Sequence, residues 1–220
     1  MKMKLFLFFG ATLLLSFFNI SAYAENADIP TIPNTGQKEE NFIPKNWKML
    51  KKVQGDMNKD NLTDTALVIE NNDGNRILLL LFGKNKSFKL SVSSANTVLC
   101  RQCGGVLGDP FMDIKIDKGV LIIDHYGGSR DRWGFTHRFR FQNNNWYLIG
   151  EDKFSGDNLT LESKTYSINY LTGDVIIEKS LEEKLIKRKT SKIKIKKLIK
   201  LSDFDINHLS EQDISEEIKI

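Results

Sequence analysis

The sequence has little proline, little cysteine and almost no charge imbalance. Its 220 residues include 4 prolines, 2 cysteines, 32 basic and 28 acidic side chains. With 14 Phe and 40% hydrophobic residues, the low proline content argues against a collagen-like or wholly disordered chain. The net charge of +4 falls to +2 without Lys2 and Lys4, so we expect no nucleic-acid partner. No phosphate-binding glycine loop, nucleotide fingerprint or multi-ligand zinc spacing occurs in the sequence.

The first 24 residues have the three parts of an export signal. Lys2 and Lys4 form the charged start, residues 5–18 are apolar, and residues 22–24 place alanines at positions −3 and −1 of a cut before Glu25. The apolar run is shorter than the roughly 20 residues of a membrane span. We predict cleavage after Ala24 and an exported protein, periplasmic or extracellular, with no membrane span. An uncleaved anchor is the alternative.

The rest of the chain divides into a leader, one domain and a tail. Residues 25–41 contain two prolines and are typical of a flexible leader. Residues 42–206 are predicted to form a single domain, and residues 207–220 an acidic tail. In the domain, short β-branched or aromatic runs are separated by Asn, Asp and Gly, and residues 135–141 alternate with a period of two. This pattern predicts an all-β fold, either an antiparallel sandwich or a partly open barrel.

The C-terminal part of the chain is divided by charge. Glu178–Lys200 holds 10 basic and 3 acidic residues, whereas Leu201–Ile220 holds 1 basic and 6 acidic residues, so the two stretches can pair electrostatically. Residues 192–196 alternate lysine with isoleucine, as in an edge strand that lysines protect from aggregation. A membrane or nucleic-acid surface is the alternative for the lysine-rich stretch 184–200. Residues 180–189 are predicted to form a short helix, with Leu181, Leu185 and Ile186 on one side.

Residues 55–64 (GDMNKDNLTD) have the spacing of a calcium loop. Side-chain oxygens stand at relative positions 1, 3, 5 and 9, and a backbone carbonyl at position 7; the donors are Asp56, Asn58, Asp60, Asp64 and the carbonyl of Leu62. An EF-hand also needs a glutamate at position 12, which is Leu67 here. We predict Ca2+ at this loop; an acidic turn without metal is the alternative.

The loop resembles the D-x-N-x-D-G-x-x-D calcium loop of FG-GAP repeats in the integrin alpha amino-terminal region, with Asn61 in place of the glycine. Asparagine also tolerates the left-handed backbone conformation. Residues 42–50 (FIPKNWKML), 94–106 (SANTVLCRQCGGV), 125–129 (HYGGS) and Trp133 are similar to a family of exported bacterial proteins of unknown function. The resemblance spans residues 42–206 and implies a shared fold and a secreted or periplasmic location, but no activity. One loop alone does not make a propeller.

Cys100 and Cys103 are predicted to form a disulfide, because they are the sole cysteines of an exported chain. Two alternatives are a thioredoxin-like redox pair and a zinc site with His125 and His137. Gly104 and its neighbouring glycine break the helix that a redox pair requires.

Residues 124–133 (DHYGGSRDRW) offer a base, carboxylates, a hydroxyl and an aromatic ring within one segment. These are ingredients of a hydrolase or sugar site, although a long hairpin loop uses the same residues structurally.

We therefore expect a noncatalytic, calcium-stabilised module that binds a protein or glycan, and the alternative is a hydrolase around His125 and Asp131. A pocket that holds both side chains within hydrogen-bond reach favours the enzyme, whereas a flat or lysine-rimmed surface favours the binding module.

Overall fold

The computed structural model describes residues 29–207, which form two antiparallel sheets of five and seven strands. Neither sheet closes into a barrel, so the predicted all-β class is confirmed in its sandwich form. The predicted signal peptide, and all of the predicted acidic tail except Asn207, lie outside the described residues. Within residues 29–207, no helix has the length and apolar character needed to cross a membrane.

The five-stranded sheet is apolar on both faces of its central strands. Leu67 and Leu79, for example, face away from the other sheet and pack with Phe42, which is fully buried. The strand order is β1-β5-β4-β3-β2, and the strands are β1 (Thr35–Gly36), β2 (Trp47–Gly55), β3 (Asp64–Asn71), β4 (Arg76–Lys84) and β5 (Ser87–Ser94).

Part of the segment predicted as a leader belongs to this sheet. Thr35 and Gly36 pair with β5, and a short 3-10 helix, Glu39–Phe42, places Phe42 on the outer face of β3 and β4. The fold therefore begins before Phe42, because the apolar outer face of β3 and β4 requires a cover.

The seven-stranded sheet is a meander in which each strand pairs with the next along the chain. Asn143 and Asn144, at φ 50° and 57°, form one of its two-residue turns. Two further 3-10 helices in the described part of the chain are Gly105–Leu107 and Leu201–Asp203. The strands are β6 (Phe111–Asp117), β7 (Val120–Gly128), β8 (Asp131–Gln142), β9 (Asn145–Asp157), β10 (Glu162–Asn169), β11 (Asp174–Leu181) and β12 (Lys184–Lys192).

The short helix predicted over residues 180–189 is wrong, because these residues form the β11–β12 hairpin. Glu182 and Glu183 occupy its turn at φ 48° and 63°. Ile186 is 62% exposed, so the proposed apolar helix face has nothing to pack against. Strand β12 is the edge of the sheet, and it ends at Lys192. We predicted the edge strand at residues 192–196, but the edge strand of the structure is Lys184–Lys192, directly before the Lys-Ile alternation.

The two sheets pack mainly through β3 and β4 against β6–β9, with Leu201 and Phe204 filling the same core. Strands β10 and β11 have a separate small cluster of Ile168, Val175 and Ile177, against which Ile193 packs. The seven-stranded sheet thus extends beyond its five-stranded partner. We call the side of the larger sheet that carries Phe139 and Ile177 its inner face.

Candidate functional site

The predicted calcium loop is organised by its own polar side chains. Asp56 accepts hydrogen bonds from the backbone N–H groups of Lys59, at 2.6 Å, and Asn61, at 3.0 Å. Asn58 and Asp60 each accept one from the N–H group two residues later, both at 2.9 Å. Lys59 and Asn61 are left-handed, at φ 65° and 66°. Position 61 therefore has the conformation that favours glycine in the FG-GAP pattern, and asparagine adopts it here.

Asp64 connects the predicted calcium loop to the five-stranded sheet through hydrogen bonds. It is fully buried at the start of β3, where its carboxylate accepts hydrogen bonds from Met57 N at 2.8 Å and Gly83 N at 2.9 Å. Burial raises the pKa of Asp64 above its ordinary value, and the nearby negative charge of Asp60 adds to this effect against the opposing hydrogen bonds. Removing that repulsion would favour the ionised carboxylate.

The chemistry of these donors suits Ca2+, since all five are oxygens. Across residues 29–207, however, no three histidine, cysteine, aspartate or glutamate side chains gather as a metal-holding group. Each carboxylate oxygen that accepts one N–H retains a second lone pair. Coordination of one cation would still require the carboxylates of Asp56, Asp60 and Asp64 to come closer together. The calcium site stays a prediction.

The predicted disulfide is confirmed: Cys100 and Cys103 are bonded, with a Cα–Cα distance of 5.1 Å. The bond excludes both cysteines as zinc ligands in this state. The two residues line a cleft of about 900 Å³ at one end of the five-stranded sheet, together with Trp47, Asn71 and Arg76.

A buried ion-pair network lies beside this cleft, and sequence reasoning missed it. Arg76, whose side chain is fully buried, donates to Glu70 at 2.7 Å and also to Asp109. Arg101 binds the other oxygen of Glu70 at 3.0 Å. Glu70 and Arg76 are directly opposed across the β3–β4 hairpin. Their positions on either side of the Asn-Asp-Gly turn could have predicted this ion pair from the sequence. The network fastens the disulfide loop to the five-stranded sheet.

The structure does not bring the two hydrolase candidates together. His125 is 3% exposed on β7; its Nε2 accepts from Leu99 N at 3.3 Å, and its Nδ1 has no partner among the described residues. Burial lowers the pKa of His125 to about 3, which leaves the ring neutral. The strand partner of His125 is Phe135, four residues along β8 from exposed Asp131, which corresponds to roughly 13 Å.

The other histidine of the larger sheet belongs to a second buried network. His137 Nε2 lies 3.2 Å from Glu151, whose other oxygen accepts from the Tyr170 hydroxyl at 2.7 Å. Although burial opposes ionisation of Glu151, the hydrogen bond and charge of His137, the charge of Lys153 and the Tyr170 hydrogen bond lower its pKa. Sequence reasoning missed Glu151, because its inward position depends on the register between β8 and β9.

Lysines and aromatic rings lie in line across the inner face of the larger sheet. Strand pairing gives two adjacent rows from β7 to β12. One row is Gly127, Trp133, Ser155, Lys164, Lys179 and Lys187; the other is His125, Phe135, Lys153, Tyr166, Ile177 and Lys189. We call Lys164, Lys179 and Lys187 the lysine row.

Aromatic rings form the β8 end of these rows. The Trp133 indole lies against Gly127, where a Cβ atom would come within 2.4 Å of a ring carbon. Trp133 stacks on Phe135 with ring centroids 5.4 Å apart. The Lys164 ammonium lies 4.5 Å from the centre of the Tyr166 ring. Beside the rows is a hollow of about 600 Å³, whose lining includes Lys164, Lys179 and Ile186 together with three carboxylates, Asp131, Asp157 and Glu162.

Comparison of the chain with protein-family models, curated proteins and solved structures found no match.

Proposed function

We propose that the protein is an exported, noncatalytic module that binds a protein or glycan partner in the periplasm or outside the cell. The observation that carries this proposal is the inner face of β8–β12, at the end of these strands that carries Trp133 and the lysine row. There the five-stranded sheet no longer provides the main packing, and partly exposed aromatic rings and lysines occupy neighbouring positions. Partly exposed rings and charged groups on rigid strands are suited to recognition.

The geometry around His125 supports binding more than hydrolysis. A general base has to reach the proton that it removes, directly or through one water. His125 is instead buried on β7, with Nε2 occupied by a backbone N–H, and it is far along the ladder from Asp131. The lysine-bearing face of the larger sheet supports a binding module instead.

We further propose that Ca2+ stabilises the loop from Asp56 to Asp64, which connects β2 to β3. Asp56, Asn58, Asp60, Asp64 and the Leu62 carbonyl would supply its oxygen ligands. A cation there would offset the repulsion between Asp60 and Asp64 and hold the hairpin.

Thermal melting in calcium and in chelator tests the calcium part. With a Kd of about 1 mM, about 10 mM Ca2+ stabilises the native state by about 1.4 kcal/mol, or about 4 °C in Tm. Asp60→Asn should remove most of this response. Asp73→Asn, a matched change at an exposed turn, should retain it. Identical wild-type melting in calcium and in chelator would contradict calcium binding.

Intact mass of the protein recovered from outside the cytoplasm tests export. We expect a chain that begins at Glu25. A full-length chain held in the membrane would show an uncleaved anchor instead.

A further inference from the structure

We propose that the lysine row and its aromatic end bind a linear glycan that carries carboxylate groups. The inference rests on the proposed function and names the partner class. It starts from the register: Lys164 is directly opposite Lys179, and Lys179 is directly opposite Lys187.

The lysine row places three ammonium-bearing side chains at directly opposed positions, and three carboxylates, Asp131, Asp157 and Glu162, line the adjoining hollow. Neighbouring strands are about 4.8 Å apart, and like charges directly opposite each other destabilise a sheet. Among the described residues, no carboxylate lies within ion-pair distance of the ammonium groups of Lys164, Lys179 or Lys187. A bound polyanion would supply the direct ion-pair partners that these three lysines lack.

Protection of a sheet edge does not account for the whole row. Lysine on an edge strand prevents unwanted pairing, and this explains Lys187 on β12. Strands β10 and β11 are interior strands with partners on both sides, so Lys164 and Lys179 require another explanation. A locally unfavourable arrangement on a regular scaffold is characteristic of a functional site.

The aromatic end of the row favours a sugar polymer. Trp133 is directly opposite Ser155, and Ser155 is directly opposite Lys164, so Trp133 continues the lysine row onto β8. Phe135 lies two residues further along β8, and both rings are partly exposed. Aromatic faces provide apolar contact, which the C–H face of a pyranose ring can use while its carboxylate meets a lysine. Because the positions run in line across five strands, they match a linear chain better than a single small anion.

Two other polyanions have different requirements. An anionic membrane is bound by apolar side chains that project into it; exposed Ile186 lies beside the row, but the Trp133 indole is packed against Gly127. Single-stranded nucleic acid also stacks on aromatic rings, but the proposed export separates this protein from it. Both are included as probes in the test.

The test measures binding of the full mature chain to four probes by titration calorimetry: polygalacturonate, neutral dextran, oligo-dT and vesicles of mixed anionic and neutral lipid. The row variant carries Lys164→Gln, Lys179→Gln and Lys187→Gln. The control variant carries Lys194→Gln, Lys196→Gln and Lys197→Gln, which remove the same charge from exposed lysines outside the strands. Trp133→Leu tests the aromatic end without changing charge.

We expect polygalacturonate to bind, with an affinity that decreases as salt increases. The row variant should lose about tenfold or more in affinity, Trp133→Leu should lose affinity as well, and the control variant should stay close to wild type. Equal losses in the row and control variants, or unchanged affinity in Trp133→Leu, would overturn the proposal in favour of ion exchange on a basic segment.

The remaining outcomes separate this inference from the proposed function. Equal or tighter binding of dextran, oligo-dT or vesicles would overturn the acidic-glycan class while leaving a binding module in place. No binding of polygalacturonate would also overturn the inference. The calcium melting experiment does not depend on any of these results, so it tests the calcium part of the proposed function separately.

Discussion

Acidification from pH 7.5 to pH 5 should destabilise the protein because His125 is buried without a charge partner. The ring is 3% exposed, and burial lowers its pKa from 6.5 to about 3, assisted by the electrostatic effects of His137 and Arg76 and opposed by that of Asp109. A histidine with a lowered folded pKa stabilises the fold fully above its unfolded pKa. That contribution is lost as the pH falls from about 6.5 towards 3, since the unfolded chain binds the proton first.

The size of this loss follows from the two pKa values. Each pKa unit corresponds to about 1.4 kcal/mol, so complete protonation of the unfolded state against a neutral folded ring amounts to about 5 kcal/mol. At pH 5 the unfolded side chain is mostly protonated and the folded one is not, and the loss is about 2 kcal/mol. This is a large fraction of the stability of a typical domain.

Urea denaturation at pH 7.5 and pH 5, for the wild type and His125→Gln, measures the effect. Glutamine stays neutral and can still accept a hydrogen bond from Leu99 N. Because both proteins share every other titrating group, the difference between their pH dependences isolates His125. We expect the wild type to lose about 2 kcal/mol more than the variant over this interval. Parallel losses in the two proteins would refute the reasoning.

Three further variants test other parts of the structure. Glu70→Gln leaves the buried Arg76 with a weakened partner set, and we expect a loss of about 3 kcal/mol in the free energy of unfolding; a loss below about 1 kcal/mol would contradict the buried network. Cys100→Ser with Cys103→Ser opens a four-residue ring and should cost no more than about 2 kcal/mol, measured by urea denaturation, and a larger loss would show that the bridge does more than close that small ring. Lys179→Gln should stabilise the free protein by about 0.5 kcal/mol, because it removes repulsion from two directly opposed lysines; destabilisation would show that its ammonium group is already compensated.

The fold class was predictable because the strands carry their own signals. Phe135, His137 and Phe139 alternate with polar residues, and the structure places all three on one face of β8, in stacked or tilted ring contacts. The Asn143-Asn144 turn has the positive φ angles that asparagine tolerates. These features are local in the sequence, so they could be read before the structure was known.

The helix prediction over residues 180–189 failed because helical and strand periodicity are hard to distinguish in a short segment. Leu181, Leu185 and Ile186 match a helical face, but they stay exposed in the hairpin. The structure has a turn at Glu182 and Glu183, which adopt left-handed conformations that glutamate seldom occupies. These two residues therefore did not indicate a turn in the sequence. Pairing with β11 determined the structure of this segment.

The proposed binding surface could not be predicted because it depends on register between distant strands. Trp133 and Lys187 are 54 positions apart in the chain, yet three intervening strands align them in one row. The buried contacts of Glu151 with His137 and Tyr170 have the same origin. A sequence shows which residues alternate along one strand, but a one-residue slip between strands would reverse the face that they share.

The central claim is that the inner face of β8–β12 is the binding surface. The most direct test is residue-resolved nuclear magnetic resonance of the mature protein, titrated with polygalacturonate fragments. The account predicts that the largest amide shifts cluster at Trp133, Ser155, Lys164, Lys179 and Lys187, with small shifts on the opposite face of the same strands. Shifts concentrated at the disulfide cleft, or spread along the lysines after β12, would contradict it.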